Sequence, residues 1–233
     1  MDKHESRLLR PASIRQIADI NPRMTRVVLS GEAVAHFADA LPGAWVKVFF
    51  TPPGEAEGPG RAYTIGSLNR EERTLSLDIV RHGSGPAMSW ITNACPGEIV
   101  RLAGPREGLD VQGISSLLLF GDETAIPAIF AIIPTLAAHV TAHVILALDD
   151  KQDYPPPPVC CRLSVTRLSP RSDDFCAHVI NTIQRLAPEK VWGAGEHGDV
   201  IQIRQALFKS GRSRKNVDIT AYWKLGEADH RDC

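Results

Sequence analysis

The chain has 233 residues, enough for one large domain or two small ones, and 43% hydrophobic and 23% charged residues place it among globular proteins. These proportions exclude a disordered, collagen-like or coiled-coil chain. Its 26 Lys and Arg residues stand against 27 Asp and Glu, a formal net charge of -1, so we do not expect a nucleic acid as partner, because phosphate neutralisation needs a basic excess.

The beginning of the sequence and its cysteines indicate a cytoplasmic protein. Residues 1–17 lack the apolar core of a secretory signal, and the longest apolar run, residues 125–140, is interrupted by two prolines and too short to cross a membrane. Five cysteines are an odd number, which argues against a disulfide framework. An iron–sulfur cluster at residues 160, 161 and 176 would lack a fourth ligand at short spacing, so we predict free thiols and no metal site.

The first half of the chain consists of short β-branched or aromatic runs separated by turn residues. Residues 74–80 alternate, with Leu75, Leu77 and Ile79 on one face, as expected for a strand. The pattern predicts an antiparallel barrel or sandwich and one short helix near residues 85–94. Strands are predicted at residues 25–30, 45–50, 61–65 and 74–80, and the Pro and Gly residues at 96–97 and 104–105 are interpreted as turns.

The second half changes character. Residues 116–120 form a continuous apolar run, as expected for a buried parallel strand, and strand-like and helix-like segments alternate after it. This alternation predicts a doubly wound parallel α/β domain at residues 111–233, preceded by the barrel at residues 1–110. The predicted strands are 116–120, 143–148, 159–168, 190–194 and 217–223, and the predicted helices are 127–138, 173–187 and 199–210.

Two strings in the predicted barrel carry chemistry. In R-A-Y-T, Arg61 and Tyr63 share a face of the strand. A guanidinium that can donate hydrogen bonds to a phosphate therefore lies beside an aromatic plane, although an ordinary exposed strand could look the same. In H-G-S-G-P-A-M-S-W, glycines precede Pro86 at a helix start, an arrangement that suits a pyrophosphate. His82 could contact a bound cofactor or act only as a structural hydrogen bonder.

Three strings in the α/β half follow predicted strands. G-D-E-T at residues 121–124 begins where a parallel strand ends, the usual place for a nucleotide, although Asp122 and Thr124 could simply cap the next helix. W-G-A-G-E at residues 192–196 has glycines, whose lack of a side chain would allow another group to approach the main chain closely. The aromatic pair Tyr222 and Trp223 could cover a ring or fill the core.

A local basic run, K-S-G-R-S-R-K, occupies residues 209–215. It could be the solvated end of a helix, where cations favour the C-terminal dipole. Because it precedes Trp223 by few residues, it could also flank a cofactor cleft and attract a phosphate, another small anion or an acidic protein.

Taken together, these strings resemble those of siderophore-interacting proteins, FAD-containing ferric-siderophore reductases that are related to ferredoxin–NADP reductases. The resemblance extends from about Ser13 to Gly226. Its carriers, in chain order, are R-A-Y-T, H-G-S-G-P-A-M-S-W, P-G-E-I-V-R-L-A-G-P-R, G-D-E-T-A-I-P-A-I, W-G-A-G-E and Y-W-K-L-G.

The resemblance implies an FAD-binding barrel domain and an NAD(P)H-binding-like α/β domain. It assigns the R-A-Y-T strand to the isoalloxazine and phosphate side of a non-covalent FAD, and the loop at 82–90 to its diphosphate. The implied cofactor-binding residues are Arg61, Ala62, Tyr63, Thr64, Asp78, His82, Gly83, Gly85, Pro86, Ala87, Trp90, Asp122, Glu123, Thr124, Ala125 and Trp223. The candidate substrate-binding residues are Lys209, Arg212, Arg214, Lys215 and Lys224.

The implied reaction takes electrons from NAD(P)H or a ferredoxin through FAD to Fe(III) in a siderophore, with the flavin rather than a protein acid or base carrying the chemistry. Two alternatives are a general flavin oxidoreductase that acts on ferric chelates and a siderophore-binding module without catalysis. The expected partners are therefore a ferric siderophore and NAD(P)H or a ferredoxin. The protein is expected to act as a monomer and without insertion into a membrane.

Overall fold

The protein is described by a computed structural model over residues 8–51, 58, 60–81, 85–149, 153–170 and 174–227. The chain divides into two compact units, one ending at Asp110 and the other beginning at Val111. Over those described ranges, no helix has the length and apolar character needed to span a bilayer. Over the same ranges, no three or more His, Cys, Asp or Glu side chains are grouped so that they could hold a metal ion.

The first unit is a closed antiparallel barrel of six strands. The strands are β1 (Arg10–Asn21), β2 (Met24–Ser30), β3 (Trp45–Phe49), β4 (Arg61–Asn69), β5 (Thr74–Val80) and β6 (Ile99–Arg106), and helix α1 (Pro86–Asn93) lies between the last two in sequence. Around the barrel their order is β1-β2-β5-β4-β3-β6. The predicted face of β5 is confirmed, because Leu75, Leu77 and Ile79 are buried in the barrel core.

Two barrel strands, β1 and β6, were not predicted from the sequence. The prediction of a turn at Gly104–Pro105 was wrong, because both residues lie inside β6, which pairs with β1 and β3. Pro105 lies near the end of the strand, where a missing amide costs little. The alternation of β1 is interrupted by two register shifts against β2, so its period was not visible.

The second unit is a five-stranded parallel sheet with helices. Its strands are β7 (Ser116–Asp122), β8 (Thr141–Ala147), β9 (Arg162–Leu168), β10 (Lys190–Glu196) and β11 (Val217–Trp223), and its helices are α2 (Ile126–Ile132), α3 (Phe175–Leu186) and α4 (His197–Lys209). The strand order β11-β10-β7-β8-β9 and the antiparallel barrel before it confirm the predicted fold class. Helix α2 ends earlier than predicted: a 3₁₀ turn, Ile133–Thr135, follows it, and Pro134 there has no amide to continue the α-helix.

The strand order places a switch point between β7 and β10, which are neighbours in the sheet although β8 and β9 lie between them in sequence. Alternate residues of β7, Leu118 and Phe120, pack in one core with residues of α3 and α4. The loops that leave β7 and β10 start from the same edge of the sheet and diverge to either side. In open α/β sheets this carboxyl edge is where ligands bind.

Candidate functional site

The R-A-Y-T string forms the first half of β4. Arg61 lies opposite Val48 and Tyr63 opposite Val46 on β3, and both valines are fully buried, so Arg61 and Tyr63 follow the inward-facing positions to the end of the barrel. Burial raises the pKa of the Tyr63 hydroxyl, and the nearby charge of Arg61 opposes that rise. The ring is therefore a neutral aromatic surface. Ala62 is exposed and Thr64 is buried.

Phe50 connects this strand to helix α1, and sequence reasoning did not mark it as a site residue. Its ring stacks on Trp90 with centroids 4.5 Å apart and meets Tyr63 in a tilted contact at 6.4 Å. All three rings pack against the barrel core. The contact brings together residues 40 positions apart, which no local pattern could have indicated, and it holds α1 beside β4.

The start of α1 has the properties of an anion site. Gly85 is the N-cap and, as a glycine, has no side chain that could cap the helix. Its φ is +157°, and a Cβ there would meet nothing within 4 Å. The first helical hydrogen bond runs from the Ser89 amide to the Gly85 carbonyl. The amides of Ala87 and Met88 therefore precede the helical ladder and point out of the first turn. His82 and Gly83, which the resemblance assigns to the cofactor, lie outside the described residues.

Asp78 is held by a cross-strand ion pair. It lies directly opposite Arg26 on β2, and the guanidinium donates to both carboxylate oxygens, at 2.7 and 2.8 Å. This hydrogen-bonded pairing raises the pKa of Arg26. The Asp78 side chain is only 9% exposed, whereas that of Arg26 is 48% exposed. The pair explains this carboxylate without a cofactor, and a contact between Asp78 and FAD stays a prediction.

In the α/β unit, Asp122 is the centre of a hydrogen-bond network at the carboxyl edge of the sheet. Oδ1 accepts from the Thr124 amide and hydroxyl at 2.8 and 2.6 Å, and Oδ2 accepts from Trp223 Nε1 at 2.7 Å. A main-chain hydrogen bond from Glu196 adds a further donor. Burial raises the pKa of Asp122, and these hydrogen bonds oppose the rise. The predicted cap is thus present, and the same carboxylate also fixes Trp223.

The next two residues of the G-D-E-T-A string are buried. Glu123 accepts a hydrogen bond from the Tyr154 hydroxyl at 2.5 Å, and both side chains are less than a tenth exposed. Ala125 is fully buried at the end of a 3₁₀ turn. Glu123 and Ala125 therefore build the base of this edge, and Trp223, which is partly exposed, is the aromatic side chain that lies above it.

The glycines of the W-G-A-G-E string are explained by packing within the sheet. A Cβ on Gly193 would lie 2.3 Å from the Phe120 ring, and one on Gly121 would lie 2.3 Å from the carbonyl of Ala194. Gly195 has φ +156°, and a Cβ there would approach the Asp122 carboxylate at 2.9 Å. The close approach that the sequence indicated is real, but it is between β7 and β10.

The structure does not bring the basic run to Trp223. Residues 209–215 end α4 and precede β11, at the amino edge of the sheet, whereas Trp223 ends β11. Seven strand residues separate these edges by about 20 Å. Arg212 donates to the Pro188 carbonyl and its burial lowers its pKa, while Arg214 lies over the Phe208 ring at 4.6 Å. The inference that the run lies near Trp223 was wrong, because the seven residues of β11 span the whole sheet between them.

Lys224 lies at the opposite, carboxyl edge. It begins a turn, Lys224–Glu227, that is closed by an isolated bridge between its ends and by an ion pair between the same two side chains. The Leu225 amide donates to Glu196 Oε1 at 3.2 Å, and the Gly198 amide donates to Glu196 Oε2. Of the candidate substrate-binding residues, Lys224 alone lies beside Trp223.

Comparison with known families decides the relationship. The family model described as siderophore-interacting FAD-binding domain matches residues 13–59 and 51–109, and the model described as siderophore-interacting protein matches residues 114–226. The chain belongs to the siderophore-interacting protein family. The two matches cover the barrel and the α/β unit in turn, so family membership does not rest on one unit.

Individual relatives of this siderophore-interacting protein match it over nearly their whole length. Ferric vibriobactin reductase of Vibrio cholerae is 28% identical, over 91% of this chain and 89% of the relative. An NADPH-dependent ferric-chelate reductase of Escherichia coli is 26% identical, over 92% of both chains. The crystal structure of SipS, a siderophore-interacting protein from Aeromonas hydrophila, superposes with a TM-score of 0.78 at 26% identity and covers 95% of this chain and 93% of that one.

The barrel of this siderophore-interacting protein fits the FAD that its family model implies. The first-turn amides of α1 offer donors for a diphosphate, and the open space at Gly85 lets an anion approach them. Arg61 supplies a fixed cation on the adjoining strand. Tyr63, Phe50 and Trp90 supply aromatic surface that suits a ring system. The donor set and the aromatic set thus match the two chemically different parts of the cofactor.

Proposed function

We propose that this chain is an FAD-dependent ferric-siderophore reductase that takes electrons from NADPH or NADH. The observation that carries the proposal is the family match through both units, residues 13–109 and 114–226, together with full-length relatives that are named reductases of ferric siderophores or ferric chelates. One nicotinamide supplies two electrons, so each turnover reduces two Fe(III) to two Fe(II) and releases NAD(P)⁺ and a proton.

The chemistry divides between cofactor and protein. FAD, when bound, supplies the conversion of a two-electron donor into successive one-electron deliveries to Fe(III). This chain's own residues would hold and orient the FAD. The α1 amides and Arg61 would bind its diphosphate, and Tyr63 would form part of the wall beside its isoalloxazine ring. At the carboxyl edge of the α/β unit, Asp122 keeps Trp223 in one orientation. Fe(II) is a softer ion than Fe(III) and binds hard oxygen chelators less tightly, so reduction releases the metal.

The name of one relative bears on the electron donor. The NADPH dependence in the name of the Escherichia coli relative favours NADPH. NADH and an acidic ferredoxin are the other donors to be compared. The siderophore partner and a monomeric enzyme are parts of the same proposal.

The test begins with the absorption spectrum of the purified protein under anaerobic titration with NADPH and with NADH. We expect a flavin spectrum that bleaches with one of them, and Fe(II) in a ferrous chelator once a ferric siderophore is added. A colourless protein that does not take up added FAD would refute the proposal. Equal rates on ferric citrate and ferric siderophores would instead favour a general ferric-chelate reductase.

A matched pair of variants tests the cofactor site. Arg61→Ala should raise the Kd for FAD about tenfold or more, because it removes a charge-assisted contact to a phosphate. Arg70→Ala is the control, since Arg70 follows the other end of the same strand and donates to the Ala38 carbonyl. Equal FAD affinities in the two variants, measured by fluorescence titration, would remove Arg61 from the cofactor site.

A further inference from the structure

The attachment of helix α1 to the barrel decides where its first-turn amides point. Ile91 is buried in the barrel core, and Met88, Trp90 and Ala94 pack against that core. The N-cap Gly85 has no side chain, and the helix has no acidic residue in its first turn and no basic residue in its last. Neither a cap nor a charge at the helix dipole therefore helps to fix α1, and apolar packing has to hold it in place.

Phe50 connects this helix to the strand that carries Tyr63. Its ring stacks on Trp90 with centroids 4.5 Å apart and 26° between the ring planes. The same ring meets Tyr63 at 6.4 Å with 59° between the planes. Phe50 directly follows β3, which pairs with β4 as far as Val48 opposite Arg61. One phenyl ring thus contacts both the helix with the candidate diphosphate donors and the strand with the candidate ring wall.

A small tilt of α1 is enough to displace the donors. Ala87 precedes the buried Ile91 by four residues, which is about 6 Å along the helix axis. Without the Phe50 ring, Trp90 loses its stacking partner and the helix is free to tilt about Ile91. A tilt of about 15° moves the Ala87 amide by about 1.5 Å. Such a shift breaks a hydrogen bond whose N···O distance is about 2.9 Å.

We propose that Phe50 is a positioning residue for the diphosphate of FAD. By stacking on Trp90, it keeps the first-turn amides of α1 at a fixed place beside Tyr63. The inference rests on the proposed function, from which it takes the cofactor, and adds a residue that has no hydrogen-bonding group of its own and acts through the helix. A direct contact between Phe50 and the isoalloxazine ring is the competing role.

Three flavins separate the two roles in the apoprotein. Riboflavin has the ring without a phosphate, FMN adds one phosphate, and FAD has the diphosphate and adenosine. Phe50→Ala should raise the Kd for FAD and for FMN about tenfold, because the amides that would bind phosphate are displaced. The Kd for riboflavin, measured by the same fluorescence titration, should stay within about twofold of the parent. An equal rise for riboflavin would reveal a direct ring contact and overturn the positioning role.

Rescue and non-additivity test the stack itself. Phe50→Tyr keeps the ring plane and should restore the Kd of the parent for FAD, whereas Phe50→Leu keeps apolar volume without the plane and should lie between parent and Phe50→Ala. Trp90→Leu breaks the same stack from the helix side. Because both single changes remove one shared contact, the double variant should bind FAD no more weakly than the weaker single variant. A double variant whose loss equals the product of the two single losses would refute the shared contact.

Phe49 provides the matched control. It is the neighbouring aromatic residue, lies opposite Arg101 on β6, and has the Lys47 ammonium 5.8 Å from the centre of its ring. Phe49→Ala removes a ring of the same size from the same strand end, so its Kd for FAD should stay within about twofold of the parent. Equal rises in Phe49→Ala and Phe50→Ala would mean a general loss of barrel packing and would refute the role. Far-UV circular dichroism verifies folding, and Phe50→Leu carries the comparison if Phe50→Ala does not fold.

Flavin binding and iron reduction are measured separately, so this proposal and the proposed function can fail independently. If the parent binds FAD and the variants show the expected pattern, but NADPH and NADH do not drive reduction of a ferric siderophore, the function fails and the positioning role stands. If the parent reduces the ferric siderophore and Phe50→Ala binds all three flavins like the parent, the positioning role fails and the function stands. If the parent binds no flavin, both fail.

Discussion

The hydrogen bond between Trp223 and Asp122 should be worth a measurable part of the stability of the α/β unit. In Asp122→Asn, the amide oxygen can take the place of Oδ1 and keep the two hydrogen bonds from Thr124. The amide nitrogen then replaces Oδ2 and faces the indole N–H at 2.7 Å, donor against donor. One lost hydrogen bond and a buried donor without an acceptor cost about 1–3 kcal/mol. We therefore expect Asp122→Asn to lower the free energy of unfolding by about 1–3 kcal/mol.

A double-mutant cycle in urea unfolding isolates the tryptophan contact. Trp223→Phe removes the indole N–H and leaves Asp122 in place, and the double variant removes donor and acceptor together. Because the conflict at Oδ2 then disappears, the double variant should be more stable than the sum of the single losses by about 1–2 kcal/mol. Additivity within about 0.5 kcal/mol would refute the view that Asp122 holds Trp223, since independent sites behave in that way.

Three further outcomes follow from single contacts. Asp78→Asn and Arg26→Met should each lower the free energy of unfolding by about 1–3 kcal/mol in urea titrations; equal Kd values for FAD in both would remove Asp78 from the cofactor set. Burial, with Asp199 nearby, raises the pKa of Cys176 to about 12, so near pH 8.5 iodoacetamide should alkylate it far more slowly than the exposed Cys160; equal rates by peptide mass spectrometry would contradict this. Arg214→Glu should leave the KM for a ferric siderophore unchanged, because about 20 Å exceeds the Debye length of about 8 Å; a strong, salt-sensitive rise in KM would return the basic run to the substrate path.

Sequence patterns were reliable where one residue type repeats for one physical reason. The alternation in β5 and the apolar run in β7 each report burial, and both strands lie where they were predicted. Patterns failed where the same residue types occur in two kinds of structure, as Gly and Pro do in turns and near strand ends. Gly104–Pro105 was interpreted as a turn but lies inside β6.

The candidate site was predicted less completely than the fold, because its key contacts are long-range. Phe50 belongs to the candidate site because it stacks on Trp90, 40 residues away, and the hydrogen bond between Trp223 and Asp122 spans 101 positions. The basic run failed for the opposite reason. Arg214 and Trp223 are only nine residues apart in sequence, but the residues between them include the whole of β11 before Trp223, so nearness along the chain became distance in space.

The glycines at the contact between β7 and β10 limit what the G-D-E-T and W-G-A-G-E strings indicate about function. A methyl group at Gly121 or Gly193 would overlap the Ala194 carbonyl or the Phe120 ring, so selection for a foldable sheet is enough to preserve both. A descendant that had lost its redox activity would still carry G-D-E-T and W-G-A-G-E. Alanine scanning of these strings would remove soluble protein rather than catalysis. Losses that separate an active enzyme from an inactive binding protein should therefore be sought at positions that the sheet does not require, such as Arg61 and Lys224.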